Sequence, residues 1–90
     1  MAKLDFLEGM KVVDLSTFVA GPTCGKILGE YGADVVRIEP RIGDSVRYVA
    51  RQMQGVTNGD NPFYDNINGN KRQLCLETRT QEGLEVLHRL

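Results

Sequence analysis

The sequence predicts an α/β fold built around a parallel sheet, and three features of one stretch predict it. Lys11–Glu39 reads KVVDLSTFVAGPTCGKILGEYGADVVRIE, with short apolar runs at Val12, Val13 and Leu15 and again at Val35, Val36 and Ile38. β-Branched runs of this length, bounded by turn residues, suit strands buried in a parallel sheet. Between the runs, Gly21-Pro22 opens a helix, because proline's fixed φ fits the first helical position, and Gly32 stands where a left-handed residue ends one. A right-handed crossover then lays the second strand parallel to the first. Ligands of such sheets bind beyond the carboxyl ends of the strands, so Ser16–Thr23 and the residues from Glu39 onward are the places to look for chemistry.

Met1–Met10 read as a lead-in with a turn at Gly9, followed by a first strand over about Lys11–Leu15 and a first helix over about Pro22–Tyr31. Cys24, Ile27, Leu28 and Tyr31 recur at helical spacing and give that helix an apolar face. The second strand covers Asp34–Glu39. From Pro40 to Asn70 periodicity is lost, and Gly43, Gly55, Asn58-Gly59-Asp60, Asn61-Pro62 and Asn68-Gly69-Asn70 mark successive turns. An irregular stretch of that length in a small domain points to a functional loop. Gln73–Glu77 forms a third strand, in which Cys75 between Leu74 and Leu76 indicates burial on both faces. Thr78 with Gln81 three residues on reads as a capping box, and Leu84, Val86, Leu87 and Leu90 line the inner side of a last helix. The sequence stops on an apolar residue of that helix, which reads as the N-terminal piece of a longer chain.

Composition excludes several classes. Ninety residues, 41% of them apolar, set the expectation of a single thin domain. With 11 basic against 12 acidic side chains there is no basic stripe for nucleic acid. No apolar run approaches the roughly 18 residues of a membrane span, and the N-terminus lacks a signal core, so the expected location is cytoplasmic. Cys24 and Cys75 stand far apart with no second ligand pair, and read as structural thiols.

The loop Ser16–Thr23 leads into a helix N-terminus, whose free N–H groups and partial positive charge favour an anion. Its glycines match neither GxGxxG nor GxxxxGK[ST]. Glu39 ends the second strand where a dinucleotide-binding protein holds a ribose hydroxyl, although Arg37 and Arg41 stand close enough to pair with it. Arg41, Arg47, Arg51, Lys71 and Arg72 are basic residues that gather toward one edge of the sheet; guanidinium groups bind phosphate bidentately and lysines as point charges. Asn70-Lys71-Arg72, between a turn and a strand, aims its side chains best, and His88 is a surface helix residue. No HExxH, GxSxG or CxxC occurs, and Asp14, Asp34, Asp44, Asp60 and Asp65 are too scattered to assign a nucleophile or base.

The runs VVDLSTFVAGPTCGKILGEYGADVVRIEP, GDSVR and NGNKRQLCLETRTQEGLEVL together resemble the N-terminal region of the family III CoA-transferases, from about Leu7 to Leu90. The most specific elements are AGP before the helix, GADVVRIE with GD and an arginine soon after, and NKR before the third strand. The resemblance implies the Rossmann-like parallel βαβ start of that family's large domain, incomplete here. It also implies an interlocked homodimer at full length that moves CoA between an acyl-CoA and a carboxylic acid. Family catalysis runs through a mixed anhydride and an aspartyl-CoA thioester on a carboxylate that lies beyond the first 90 residues, so no catalytic residue is assigned. CoA or acyl-CoA enters as substrate, with no tightly bound cofactor. By similarity Val19 and Ala20 fall in the loop that contacts CoA, Arg41 beside Pro40 takes the basic position after the second strand, and Lys71 reaches the nucleotide end; Arg72 joins them as the neighbouring cation. Gly43–Asn66 resembles the branch that handles 2-hydroxy acids. Two other readings remain open: a stand-alone CoA- or nucleotide-binding or interaction module without catalysis, and a fragment of an NAD-type dehydrogenase.

Overall fold

The computed structural model describes residues 5–54 and 61–90, without the side chains of Ala50, Arg51, Met53 and Gln54. Arg51 as a site candidate and the turns expected at Gly55 and Asn58-Gly59-Asp60 therefore lie outside the described residues. Three parallel strands, β1 (Lys11–Asp14), β2 (Asp34–Glu39) and β3 (Lys71–Cys75), pair in the order β1-β2-β3. Val12 faces Val35 and Asp14 faces Arg37 across the first pair; Val35 faces Lys71 and Glu39 faces Cys75 across the second. Four helices accompany them among the described residues: α1 (Ala20–Glu30), α2 (Ser45–Gln54), α3 (Pro62–Ile67) and α4 (Gln81–Arg89). The α/β expectation holds, and this strand order is that of a Rossmann-like half-sheet.

Strand alternation puts Val12, Asp14, Val35, Arg37, Glu39 and Lys71 on one face, and α1, α2 and α3 cover it. Val13, Val36, Ile38 and Leu74 occupy the other. Helix α1 does not use the apolar face expected for it. Its buried residues are Pro22, Gly25 and Gly29, whereas Ile27 is 44% exposed and Cys24 and Tyr31 are also exposed. The reason is close approach: a Cβ on Gly29 would stand 2.5 Å from the Asn70 carbonyl oxygen, so only a bare backbone lets the helix rest on the start of β3. Gly32, at φ 107° just past the helix, adopts the left-handed conformation that its position predicted.

The described residues of the stretch Pro40–Asn70 carry two helices, α2 and α3, where an irregular loop was expected. Two of its turn signals are helix caps: the Asn61 side chain accepts from the Tyr64 N–H at 3.2 Å with Pro62 opening α3, and Asp44, next to Gly43, accepts from the Val46 N–H at 3.1 Å at the start of α2. Val46, Tyr64 and Ile67 from these helices form a small apolar core, against which Val19 packs.

The third strand begins two residues earlier than expected and ends at Cys75, which is exposed instead of buried on both faces. The cap of α4 is Thr80, whose hydroxyl accepts from the Gly83 N–H at 3.0 Å, and not Thr78. Leu84, Val86 and Leu90, expected on an inner side, are exposed because no described element lies against them.

Candidate functional site

At the carboxyl end of the sheet the β1–α1 loop meets the β2–α2 loop, and a buried ion pair joins them. Arg37 comes from an inward position of the central strand and is 1% exposed; its guanidinium donates through Nη1 to the Ser16 carbonyl at 2.8 Å and through Nη2 to the Asp44 carboxylate. Among the described residues its Nε finds no acceptor. Asp44, 3% exposed, also accepts from the Phe18 N–H, 3.2 Å from each of its carboxylate oxygens. Both backbone groups flanking Thr17 thus end on one salt bridge. Immediately beyond the anchored Phe18 N–H the chain turns at Phe18, φ 67°, a left-handed conformation that costs a bulky residue about 1–2 kcal/mol.

A second set of charges lies beneath α1. The Lys71 Nζ donates to Asp14 Oδ2 at 2.7 Å, to the Pro22 carbonyl at 2.7 Å and to Asn68 Oδ1 at 2.8 Å, which uses all three ammonium donors. Burial pushes the Lys71 ammonium below the ordinary lysine range, and Asp14 offsets this only in part. For Asp14 burial acts upward, but hydrogen bonds from Lys71 and from the Ser16 hydroxyl and N–H outweigh it and hold the carboxyl below its usual range.

A third set closes the network at the end of β2. Glu39 receives the Arg47 guanidinium on both oxygens, the Tyr64 hydroxyl at 2.5 Å and the Asp44 N–H at 2.8 Å. Burial again opposes ionisation, but these donors prevail and bring the carboxyl down to about 2. Arg47 lies over the Tyr64 ring, 3.7 Å from its centre, a cation–π contact that secures α2 to α3. Glu39 is therefore paired, as its neighbours suggested, but its partner is Arg47, eight residues on in the first turn of α2, and neither Arg37 nor Arg41.

The structure divides the residues proposed from sequence. Val19 precedes α1, with its side chain packed against the Val46–Tyr64–Ile67 core, and Ala20 is the exposed first residue of that helix. No side chain caps α1. Arg41 is exposed in the turn after β2, at the rim of an open cavity of about 450 Å³ that reaches the end of β3. A second cleft of about 400 Å³ runs between the three strand-end loops, rimmed by Ser16, Thr17, Ser45 and Thr78 and floored by Leu15, Ile38 and Leu76. Lys71 is enclosed under α1, its side chain 0% exposed. Arg72 is exposed at the opposite end of the strands, paired with Asp34 at 2.8 and 3.0 Å. Sequence reasoning left Asp44 and Tyr64 without a role and treated Arg37 only as a neighbour of Glu39. The signal was there in VVRIE, since an arginine at an inward position of a central strand requires a buried counter-charge. Among the described residues no group of histidine, cysteine and acidic side chains is disposed to hold a metal ion.

Comparison with known proteins gives this geometry a family. The chain is 44% identical over 85 residues to an (R)-2-hydroxy-4-methylpentanoate CoA-transferase of Clostridioides difficile, covering 93% of this chain and 21% of that protein. It is 39% identical over 85 residues to a formyl-CoA:oxalate CoA-transferase of Bradyrhizobium sp. strain ORS 278, covering 93% of this chain and 19% of the relative. The chain thus spans about a fifth of the length of the curated relatives it matches. Among solved structures, a CAIB/BAIF family protein from Brucella suis superposes with a TM-score of 0.69 at 31% identity, over 97% of this chain and 23% of that one. The Mycobacterium tuberculosis protein Rv3272 superposes at 0.73 with 26% identity, over 96% and 22%. The profile of CoA-transferase family III matches residues 7–90, nearly the whole of the sheet, its helices and the joined loops described above, and the chain accordingly belongs to that family.

Proposed function

We propose that this chain is the CoA-binding opening part of a CoA-transferase that moves CoA between an acyl-CoA and a carboxylic acid of the 2-hydroxy acid type. The reaction passes through a covalent aspartyl intermediate whose carboxylate lies outside these 90 residues. The observation that carries this reading is the Ser16–Ala20 loop at the carboxyl end of a parallel sheet, built and anchored before any ligand arrives. The hydroxy-acid type is supported by the relative from Clostridioides difficile.

In this arrangement the backbone of Val19 and Ala20 meets CoA at the start of α1, and Arg41 supplies the exposed cation for its phosphates. Lys71 serves the same loop from beneath, by holding the Pro22 carbonyl in the first turn of α1. Arg72, at the far end of the strands, falls outside the arrangement. CoA comes and goes as a substrate, with no tightly bound cofactor. The full-length enzyme acts as a cytoplasmic homodimer; no described helix is long and apolar enough to cross a membrane.

Calorimetric titration of the chain with CoA, dephospho-CoA and NAD tests the reading. CoA should bind, and loss of its 3′-phosphate or an Arg41→Ala substitution should weaken it by about three- to tenfold, the range of one solvent-exposed hydrogen-bonding contact of about 0.5–1.5 kcal/mol. Binding of NAD in preference to CoA would overturn the proposal in favour of a dinucleotide site, a role for which Glu39 has its carboxylate already engaged.

A further inference from the structure

We propose that Asp44 is a positioning residue for the β1–α1 loop. With Arg37 it locks the backbone from Ser16 to Phe18 into the conformation that leads into α1, so that a ligand meets a finished loop instead of ordering one. The consequence for CoA rests on the function proposed above; the lock itself does not.

Three observations carry it. First, the Ser16 carbonyl and the Phe18 N–H converge on the same Arg37–Asp44 pair, although Asp44 is 26 residues from Phe18 in sequence. Second, Phe18 holds a left-handed φ of 67° with a side chain that is 46% exposed, so packing of the ring into a core is not what maintains it. A strained backbone persists only where its surroundings over-determine it, and here the surroundings are two charge-assisted hydrogen bonds. Third, Asp44 is itself fixed from three sides: its N–H donates to Glu39, its carboxylate receives Arg37, and it accepts from the Val46 N–H at the start of α2. The loop is therefore referred to β2 and α2 jointly, which is what a positioning element requires.

Two substitutions separate this role from general stability. Asp44→Asn keeps the size of the side chain but leaves one uncharged acceptor oxygen where Arg37, the Phe18 N–H and the Val46 N–H now share two; Phe18→Gly removes the cost of the left-handed conformation without touching the ion pair. Hydrogen exchange followed by NMR is the first readout. In Asp44→Asn the Phe18 amide should lose its protection while amides of β2 keep theirs, and retained protection at Phe18 in a folded variant would overturn the proposal. Should Asp44→Asn fail to fold, Phe18→Gly decides: with the lock in place the amide of residue 18 stays protected even though glycine has no preference for this φ, and its loss would show that the ring, not Asp44, held the loop.

CoA affinity is the second readout. Asp44→Asn should weaken binding roughly tenfold when residue 18 is phenylalanine, and only about twofold when it is glycine, since the lock then has less strain to overcome. Equal losses in the two backgrounds would reduce Asp44 to an ordinary stabilising residue. A wild-type chain that binds no CoA would defeat the proposed function alone, because hydrogen exchange still decides whether the loop is locked.

Discussion

On the face of the sheet that α1, α2 and α3 cover stand Asp14, Arg37, Glu39 and Lys71, whereas the opposite face presents Val13, Val36, Ile38 and Leu74. A strand pair in water ordinarily turns its apolar side chains toward its helices and its charges away. Here Val13 is 38% and Leu74 36% exposed at the edges of the bare face, with Ile38 buried between them at 5%, while on the covered face Arg37 and Val35 are each 1% exposed. The difference teaches that the two faces are held in different ways. The covered face is secured by directional contacts, each charge matched by a partner within these 90 residues. The bare face has hydrophobic surface to bury and, among the described residues, little to bury it against.

Cutting the charged network should have the largest effect. Arg37→Met leaves Asp14 and Asp44 without their shared cation, and breaking a buried pair from one side costs about 3–5 kcal/mol. Urea unfolding followed by circular dichroism measures this; a loss under about 1 kcal/mol would mean that the covered face is held by packing after all. Acid should loosen the same face. The Glu39 carboxyl is depressed from its ordinary 4.5 to about 2, and Asp14 is also lowered, so their stabilisation is complete above the ordinary carboxylate range and is lost as pH falls through the folded-state values. Unfolding midpoints in urea should therefore drop from pH 5 toward pH 2, and Glu39→Gln should flatten that dependence.

A smaller effect is expected at the contact between α1 and β3. Gly29→Ala gains helix propensity but drives its methyl against the Asn70 carbonyl, for a net loss of about 1–2 kcal/mol. A melting temperature lower by roughly 5–15 °C would report it, and an unchanged or raised one would show that the helix can lift away freely. The bare face should respond least. Val13→Thr should leave unfolding free energy within about 0.5 kcal/mol of the parent, because the side chain is partly exposed and threonine is an equally good strand residue of the same shape, while reducing any self-association seen in sedimentation. A loss there as large as that of Arg37→Met would erase the contrast between the faces.

The sequence made the topology legible where periodicity and punctuation agreed: the apolar runs of β1 and β2, Pro22 near the start of α1 and Gly32 after its end all stand where expected. It misled where one residue type serves two purposes. Asn61-Pro62 and Gly43-Asp44 begin turns and also begin helices, and in segments as short as α3 the cap outweighs the missing periodicity. It also misled where side-chain pattern and packing diverge, since α1 buries its glycines and not its large apolar residues. Of the site, the loop at the head of α1 was readable from its position after a strand. The Arg37–Asp44 pair that holds it was not, because it joins residues whose proximity exists only once β1, β2 and the start of α2 are in register.

The linked charges around α1 and α2 are three buried acids, Asp14, Glu39 and Asp44, and three bases, Arg37 and Lys71 buried and Arg47 half-exposed on α2 itself. Their fields cancel within a few ångströms, so an approaching polyanion does not feel six ions. Its long-range attraction comes from the unscreened remainder at the carboxyl edge, the partial charge of the α1 terminus and Arg41. Capture of a highly charged ligand by this surface should accordingly show the shallow ionic-strength dependence of one exposed cation, with the Debye length shrinking from about 10 Å at 0.1 M salt to about 3 Å at 1 M. The interior lattice, neutral as a whole, gives the loop its shape and stays silent in the encounter.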